Sequence, residues 1–191
     1  MENKMALIIG GSAGSLDVLI KILPAIDVNI KFPIIIVVHR KQGADSILSD
    51  LLDSKTTLKV KELEEKENIV DGCIYVVPSD YHLLIEKDYT FSLDYSEKVN
   101  YSRPSIDVTF QSAADVYQNN LVCLLLSGSN ADGVNGLIAV NKVGGIALVQ
   151  DPSTAQVSYM PEQAILKAKI DKVLKIEEMA PYINSLILGR A

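Results

Sequence analysis

The sequence predicts an α/β protein: a doubly wound, mostly parallel sheet with helices on both faces and a small antiparallel hairpin portion. Three observations predict it. Residues 32–39 and 121–126 are apolar runs without alternation, the composition of strands buried on both faces, as parallel strands are. Strand-like runs alternate with segments of helical spacing along most of the chain, the βαβα order of a doubly wound sheet. In the middle, Lys87-Asp88 separates two short apolar runs as the tip of a hairpin does. A length of 191 residues suits one domain with a sizeable core, and no internal repeat, low-complexity segment or linker divides it.

In order, the apolar run 6–9 stops at Gly10, Gly11 and Ser12. Leu16, Leu19, Ile20 and Leu23 then recur at helical spacing until Pro24 closes the segment. The buried strand 32–39 ends on His39; Arg40, Lys41, Gln42 and Gly43 follow, and then a helix over about 44–52. A weaker strand at 57–60 leads into the acidic stretch 62–68, read as a solvated surface segment. Asp71-Gly72 is a turn signal and 73–78 a strand. Ser79-Asp80-Tyr81-His82 leads into 83–86, which the hairpin returns at 90–93. A polar loop, 101–107, precedes a helix whose apolar face is Ile106, Phe110, Ala113, Ala114 and Tyr117, with Asn119-Asn120 ending it. The strand 121–126 breaks into the loop 127–133 and a helix over about 134–142. Gly144-Gly145 turns the chain into a strand at 146–150, and Met160-Pro161 opens a helix with proline near its first turn. A short edge strand at 171–174 and a closing helix at 177–188 complete the pattern.

Composition narrows the function. The net charge of −6, with no basic stripe, argues against nucleic acid as a partner, and the absence of Trp with only three Phe argues against a base-stacking platform. With only two Cys and two His in the chain, a clustered zinc site is not expected. Cys73 and Cys123 lie in apolar runs and read as buried free thiols of a reducing compartment. The first apolar run is too short for a signal-peptide core or a membrane span, so the expected setting is cytoplasmic, without membrane insertion. Neither phosphate-binding motif is met: the Lys and Ser/Thr of a Walker A loop are missing after Gly14, and the glycines lack G-x-G-x-x-G spacing.

Chemistry collects at three strand ends, where open parallel sheets bind ligands. Gly10-Gly11-Ser12-Ala13-Gly14 fits the G-x-S-x-G pattern of a nucleophile elbow, in which a serine on a strained turn projects its hydroxyl. His39 ends the second strand, and Asp132 lies in the glycine-rich loop after 121–126. A hydroxyl is a weak nucleophile at neutral pH, so a histidine must take its proton, and a carboxylate must fix the tautomer of that histidine. Each residue also has a plain structural reading. The glycines could make only a tight connection, His39 could be a core histidine bonded to backbone, and Asp132 could be an N-cap before Val134. His82 competes as the base; Asp80, Asp107 and Asp151 compete as the acid.

The segments Ile9-Gly10-Gly11-Ser12-Ala13-Gly14, Ile35-Ile36-Val37-Val38-His39, Tyr75-Val76-Val77-Pro78, Arg103-Pro104-Ser105-Ile106-Asp107, 126–133, Gln150-Asp151-Pro152 and 160–165 resemble, in order and spacing, the catalytic domain of CheB protein-glutamate methylesterases. The resemblance covers about residues 5–183. It implies a hydrolase without cofactor, acting on γ-methyl esters of glutamates on chemoreceptor cytoplasmic helices and on receptor glutamines by deamidation. A methyltransferase or a response regulator would be its partner in trans. Ser12 falls on the nucleophile of the family, His39 on its base, with Nε2 expected to reach Ser12 Oγ, and Asp132 on its orienting acid. Oxyanion donors are expected from the backbone N–H of Ala13 and of the loop around Ser129 and Asn130. Ala13 and Ser15 stand where Thr and Gly are usual, and Ser129 and Asn130 where Met and Gly are usual; these changes bear on the substrate. Chemotaxis enzymes of this family carry an N-terminal receiver domain, whereas here the pattern begins within ten residues of the start. The expectation is therefore a stand-alone catalytic domain over 1–191, with a binding or regulatory module of little turnover as the alternative.

Overall fold

The computed structural model describes residues 4–40 and 45–188. Its strands are β1 (Ala6–Gly11), β2 (Ile34–Val38), β3 (Lys59–Glu62), β4 (Cys73–Val76), β5 (His82–Ile85), β6 (Phe91–Asp94), β7 (Leu121–Leu125), β8 (Ile146–Gln150) and β9 (Lys172–Leu174). Its helices are α1 (Ser15–Ile22), α2 (Asp45–Asp53), α3 (Ile106–Tyr117), α4 (Val134–Lys142), α5 (Tyr159–Lys167) and α6 (Ile176–Ser185). Seven strands form one parallel sheet in the order β3-β4-β2-β1-β7-β8-β9, and β5 and β6 form a separate antiparallel hairpin.

The pleat sends alternate side chains to opposite faces, which divides the apolar residues between two cores. Ile8, Ile35, Val37 and Val149 cluster with α3, α4, α5 and the hairpin. Leu7, Ile9, Ile34, Ile36 and Leu148 cluster with α1, α2 and α6. Every residue of β2 and β7 is buried, which is why their sequences lack alternation. From β1 the chain moves outward through β2 to β4 and β3, then returns to β7 on the other side of β1. That reversal is the topological switch point, where the crevice of a doubly wound sheet lies.

Several boundaries differ from the sequence reading. β1 continues through both glycines, because Gly10 and Gly11 pair in register with Val37 and Val38. Pro24 falls inside a 3-10 turn, Leu23–Ala25, that extends α1. The weak strand lies two residues later, at Lys59–Glu62, and the last helix ends at Ser185 in a 3-10 turn. The start of α2 expected at residue 44 lies outside the described residues. The acidic stretch does more than face solvent. Lys66 N–H donates to the Phe91 carbonyl at 2.8 Å, Phe91 N–H to the Glu67 carbonyl at 3.0 Å, and Lys61 Nζ meets Glu67 Oε1 at 2.7 Å. The stretch thus fastens the hairpin, whose Phe91 packs edge-on to Tyr75 with centroids 4.9 Å apart. Among the described residues, no helix is long and apolar enough to cross a membrane.

Candidate active site

Strand register builds the site. Gly11 pairs with Val38 in the parallel β1–β2 ladder, so the next residues, Ser12 and His39, leave the sheet side by side. Ser12 N–H donates to the Ser127 carbonyl at 2.9 Å, which joins the β1 end to the β7 end. The left-handed residue of the turn is Gly14 (φ 83°), two residues after the serine, so the expected strain lies beyond the hydroxyl rather than at it. A Cβ on Gly10 would lie 2.5 Å from Ile106 Cγ2, so only glycine lets α3 approach β1 this closely. Ser15, one of the unusual residues, is buried and donates from Oγ to the Ser12 carbonyl at 2.7 Å, steadying the turn.

Asp132 is fully buried and holds His39: His39 Nε2 lies 2.7 Å from Asp132 Oδ2. The same oxygen accepts Ile106 N–H at 2.7 Å. The other oxygen accepts from Ser105 Oγ (2.8 Å), Asn100 Nδ2 (3.0 Å) and Asp107 N–H (3.1 Å). Burial pushes the Asp132 carboxyl up, but the bonds from His39, Ile106 and Asn100 outweigh it and hold it below the ordinary carboxylate range. Asp107 shows the opposite balance. Burial and the neighbouring Asp132 charge raise its carboxyl, against bonds from Gly136, Asn100 and Gly133. The two acids exchange helices: Asp132, before α4, accepts amides at the start of α3, while Asp107, in α3, accepts Gly133 and Gly136 N–H at 2.9 and 2.7 Å at the start of α4.

The expected ring orientation is reversed. Because Nε2 is taken by Asp132, the nitrogen left for a nucleophile is Nδ1, and Ser102 Oγ stands 3.4 Å from it. Among the described residues, Ser12 Oγ makes no hydrogen bond to His39, although both wall one cavity of about 240 Å³ between α1 and α2. The backbone N–H groups of Ala13 and Ser129 donate no hydrogen bond among the described residues. Asn130 Oδ1 accepts the Asp132 N–H at 3.0 Å and shapes its loop.

The rival residues have other duties. His82 is buried, with Nε2 on the Glu97 carbonyl (3.0 Å) and Nδ1 accepting Ser105 N–H (3.1 Å). Asp80 binds Arg103 at 2.7 Å, and Asp151 caps the short turn after it through Ser153 N–H. On the far side of His39, Arg40, Lys98 and Arg103 rim a second cleft of about 260 Å³. Asn100 had no role in the sequence reading. It stands in no periodic segment, and only its place just before the Arg103–Asp107 motif could have pointed to it.

The fold is that of a doubly wound α/β domain, with Ser12, His39 and buried Asp132 near its switch point, where such sheets bind ligands. The family model for CheB methylesterase matches residues 7–183, and the chain belongs to that family. It is 45% identical to a Leptospira interrogans protein named, provisionally, protein-glutamate methylesterase/protein-glutamine glutaminase, covering 93% of this chain and 92% of that one. It is 34% identical to a Thermotoga maritima protein-glutamate methylesterase/protein-glutamine glutaminase, covering 95% of this chain but 54% of that one. The crystal structure of the Thermotoga maritima CheB methylesterase catalytic domain superposes with a TM-score of 0.93 at 32% identity, covering 96% of this chain and 99% of that one.

Proposed function

We propose that this chain hydrolyses γ-methyl esters of glutamate side chains on chemoreceptor-like proteins, with Ser12 as nucleophile, His39 as base and Asp132 as the acid that orients it. The observation that carries the reading is the 2.7 Å contact of buried Asp132 with His39, beside a serine set next to that histidine by strand register. Ser12 Oγ attacks the ester carbonyl while His39 Nδ1 takes its proton. The backbone N–H groups of Ala13 and Ser129 stabilise the oxyanion. The C–O bond to the methoxy group breaks, His39 returns the proton, and methanol leaves. Water, deprotonated by His39, then attacks the acyl-serine and releases the glutamate carboxylate and free Ser12. Glutamine follows the same course with ammonia as the leaving group. Ser102 must yield its place at Nδ1 to the nucleophile, and bonds of this kind tighten when substrate binds.

Methanol release from methylated receptor helices tests the proposal. Ser12→Ala should lower the rate by about 10⁴-fold or more. Equal release by both proteins would remove Ser12 from the nucleophile role. No release by either would favour a binding or regulatory module of the same fold.

A further inference from the structure

We propose that the cavity between α1 and α2 is a specificity subsite. Its occupant is an apolar side chain of the substrate protein, one helical turn from the glutamate ester at Ser12. The inference rests on the esterase reading above.

Size is the first reason. The cavity holds about 240 Å³, roughly eight times the ~30 Å³ share of one liquid water. A methyl ester needs a small fraction of that. Ser12 and His39 form one end of the cavity, so whatever fills it belongs to a molecule already at the reacting atoms.

The walls are the second reason. Leu16 and Leu19 of α1, Leu48, Leu51 and Ile47 of α2, and Val38 line the cavity. Leu16 is 38% and Ile47 67% exposed, so both elements bordering the cavity present apolar surface to solvent beside it. Among the described residues, no wall residue from α1 or α2 carries a charge. Ser15 Oγ is committed to the Ser12 carbonyl, and Arg40, the cation at the rim, is bound to Glu62 and the Val77 carbonyl. A charged side chain entering would lose its water without a partner, whereas an aliphatic one would gain by burial.

Spacing is the third reason. Residues three or four apart on a helix have Cβ atoms about 5–6 Å apart. Leu16 is the second residue of α1, just beyond the turn that carries Ser12, and both line the cavity. On a substrate helix presenting its ester to Ser12, the side chain three or four residues away is the neighbour within reach of the same cavity.

The probes are alanine-based helical peptides of about twenty residues with one γ-methyl glutamate. Each carries Leu, Ala or Lys three or four residues from the ester. With the wild type, the Leu peptide should exceed the Ala peptide by about tenfold in kcat/KM, mostly through KM. In Ile47→Glu this ratio should fall towards one and the Lys peptide should overtake the Leu peptide. Leu48→Trp, which fills the cavity from within, should also collapse the ratio. Equal rates for the Leu and Ala peptides, or a ratio unchanged in both variants, would overturn the subsite. So would a γ-butyl ester hydrolysed faster than the γ-methyl ester with no Leu preference, which would give the cavity to the alcohol portion.

Binding of the matching glutamine peptides to Ser12→Ala, read by fluorescence anisotropy, separates the two readings. Tighter binding of the Leu peptide without hydrolysis by the wild type would keep the subsite and remove the esterase reading. Hydrolysis of all peptides alike would do the reverse.

Discussion

Asp132 gathers five donors on two oxygens, from His39, Ile106, Asn100, Ser105 and Asp107. So dense a set of bonds holds a buried carboxylate ionised, and an ionised carboxylate is what an orienting acid must be. Asp107, sharing Asn100 with it, is tuned the other way. The signs predict opposite pH behaviour. The folded Asp132 carboxyl lies below its ordinary value of 3.8, so its stabilisation is fully present above that value and is lost as pH falls through the folded one. The folded Asp107 carboxyl lies above 3.8, so its contribution is greatest when protonated and is lost as pH rises from that value through the folded one. Thermal melts from about pH 3 to pH 7 of wild type, Asp132→Asn and Asp107→Asn should show this. The deficit of Asp132→Asn shrinks on acidification, and that of Asp107→Asn grows. Parallel curves would mean that the two acids are not differently tuned.

Among the elements, the contact that sets the site is α3 against β1. Ile106 opens α3, donates its N–H to Asp132, and places its side chain over Gly10. Gly10→Ala would bring a methyl group to 2.5 Å from Ile106 Cγ2 and 3.1 Å from Phe110 Cζ, so α3 must move. Overpacking of this kind costs about 1–3 kcal/mol. The same shift carries Ile106 N–H away from the Asp132 carboxylate, so kcat should fall by more than the lost stability explains. Urea unfolding with methanol release under folded conditions checks both. A stability loss with kcat intact would show that the Asp132 cluster follows the helix without distortion. The two glycines first legible as a turn signal therefore do different work: Gly10 admits α3, and the left-handed turn itself belongs to Gly14.

At the scale of the whole molecule, what was legible was what burial imposes on a sequence. β2 and β7 read clearly because both faces are covered, and Ser12, His39 and Asp132 stood out as candidates because they fall at or just beyond the ends of such strands. The polar net behind them did not, because its partners meet only in the fold. Asn100 reaches Asp132 across 32 residues and Ser102 reaches His39 across 63, with no periodicity to mark them. The ring orientation of His39 likewise depends on its contacts with Asp132 and Ser102, both distant in sequence. The two thiols can report how this architecture opens. Both are buried and free, and burial raises both thiols, Cys123 furthest, which suppresses the reactive thiolate. Cys123 lies in β7, between β1 and β8, where exposure requires the sheet itself to come apart. Cys73 lies in β4 beside the edge strand β3, and its Sγ approaches the Lys59 carbonyl of that strand at 3.5 Å. Opening of an edge is a smaller event than opening of a centre. Labelling with an aromatic disulfide reagent should therefore be biphasic. The faster phase disappears in Cys73→Ala, and the slower one matches the global unfolding rate measured by dilution into denaturant. A single phase at that global rate for both thiols would mean that β3, fastened through the acidic stretch to the hairpin, opens only with the rest of the sheet.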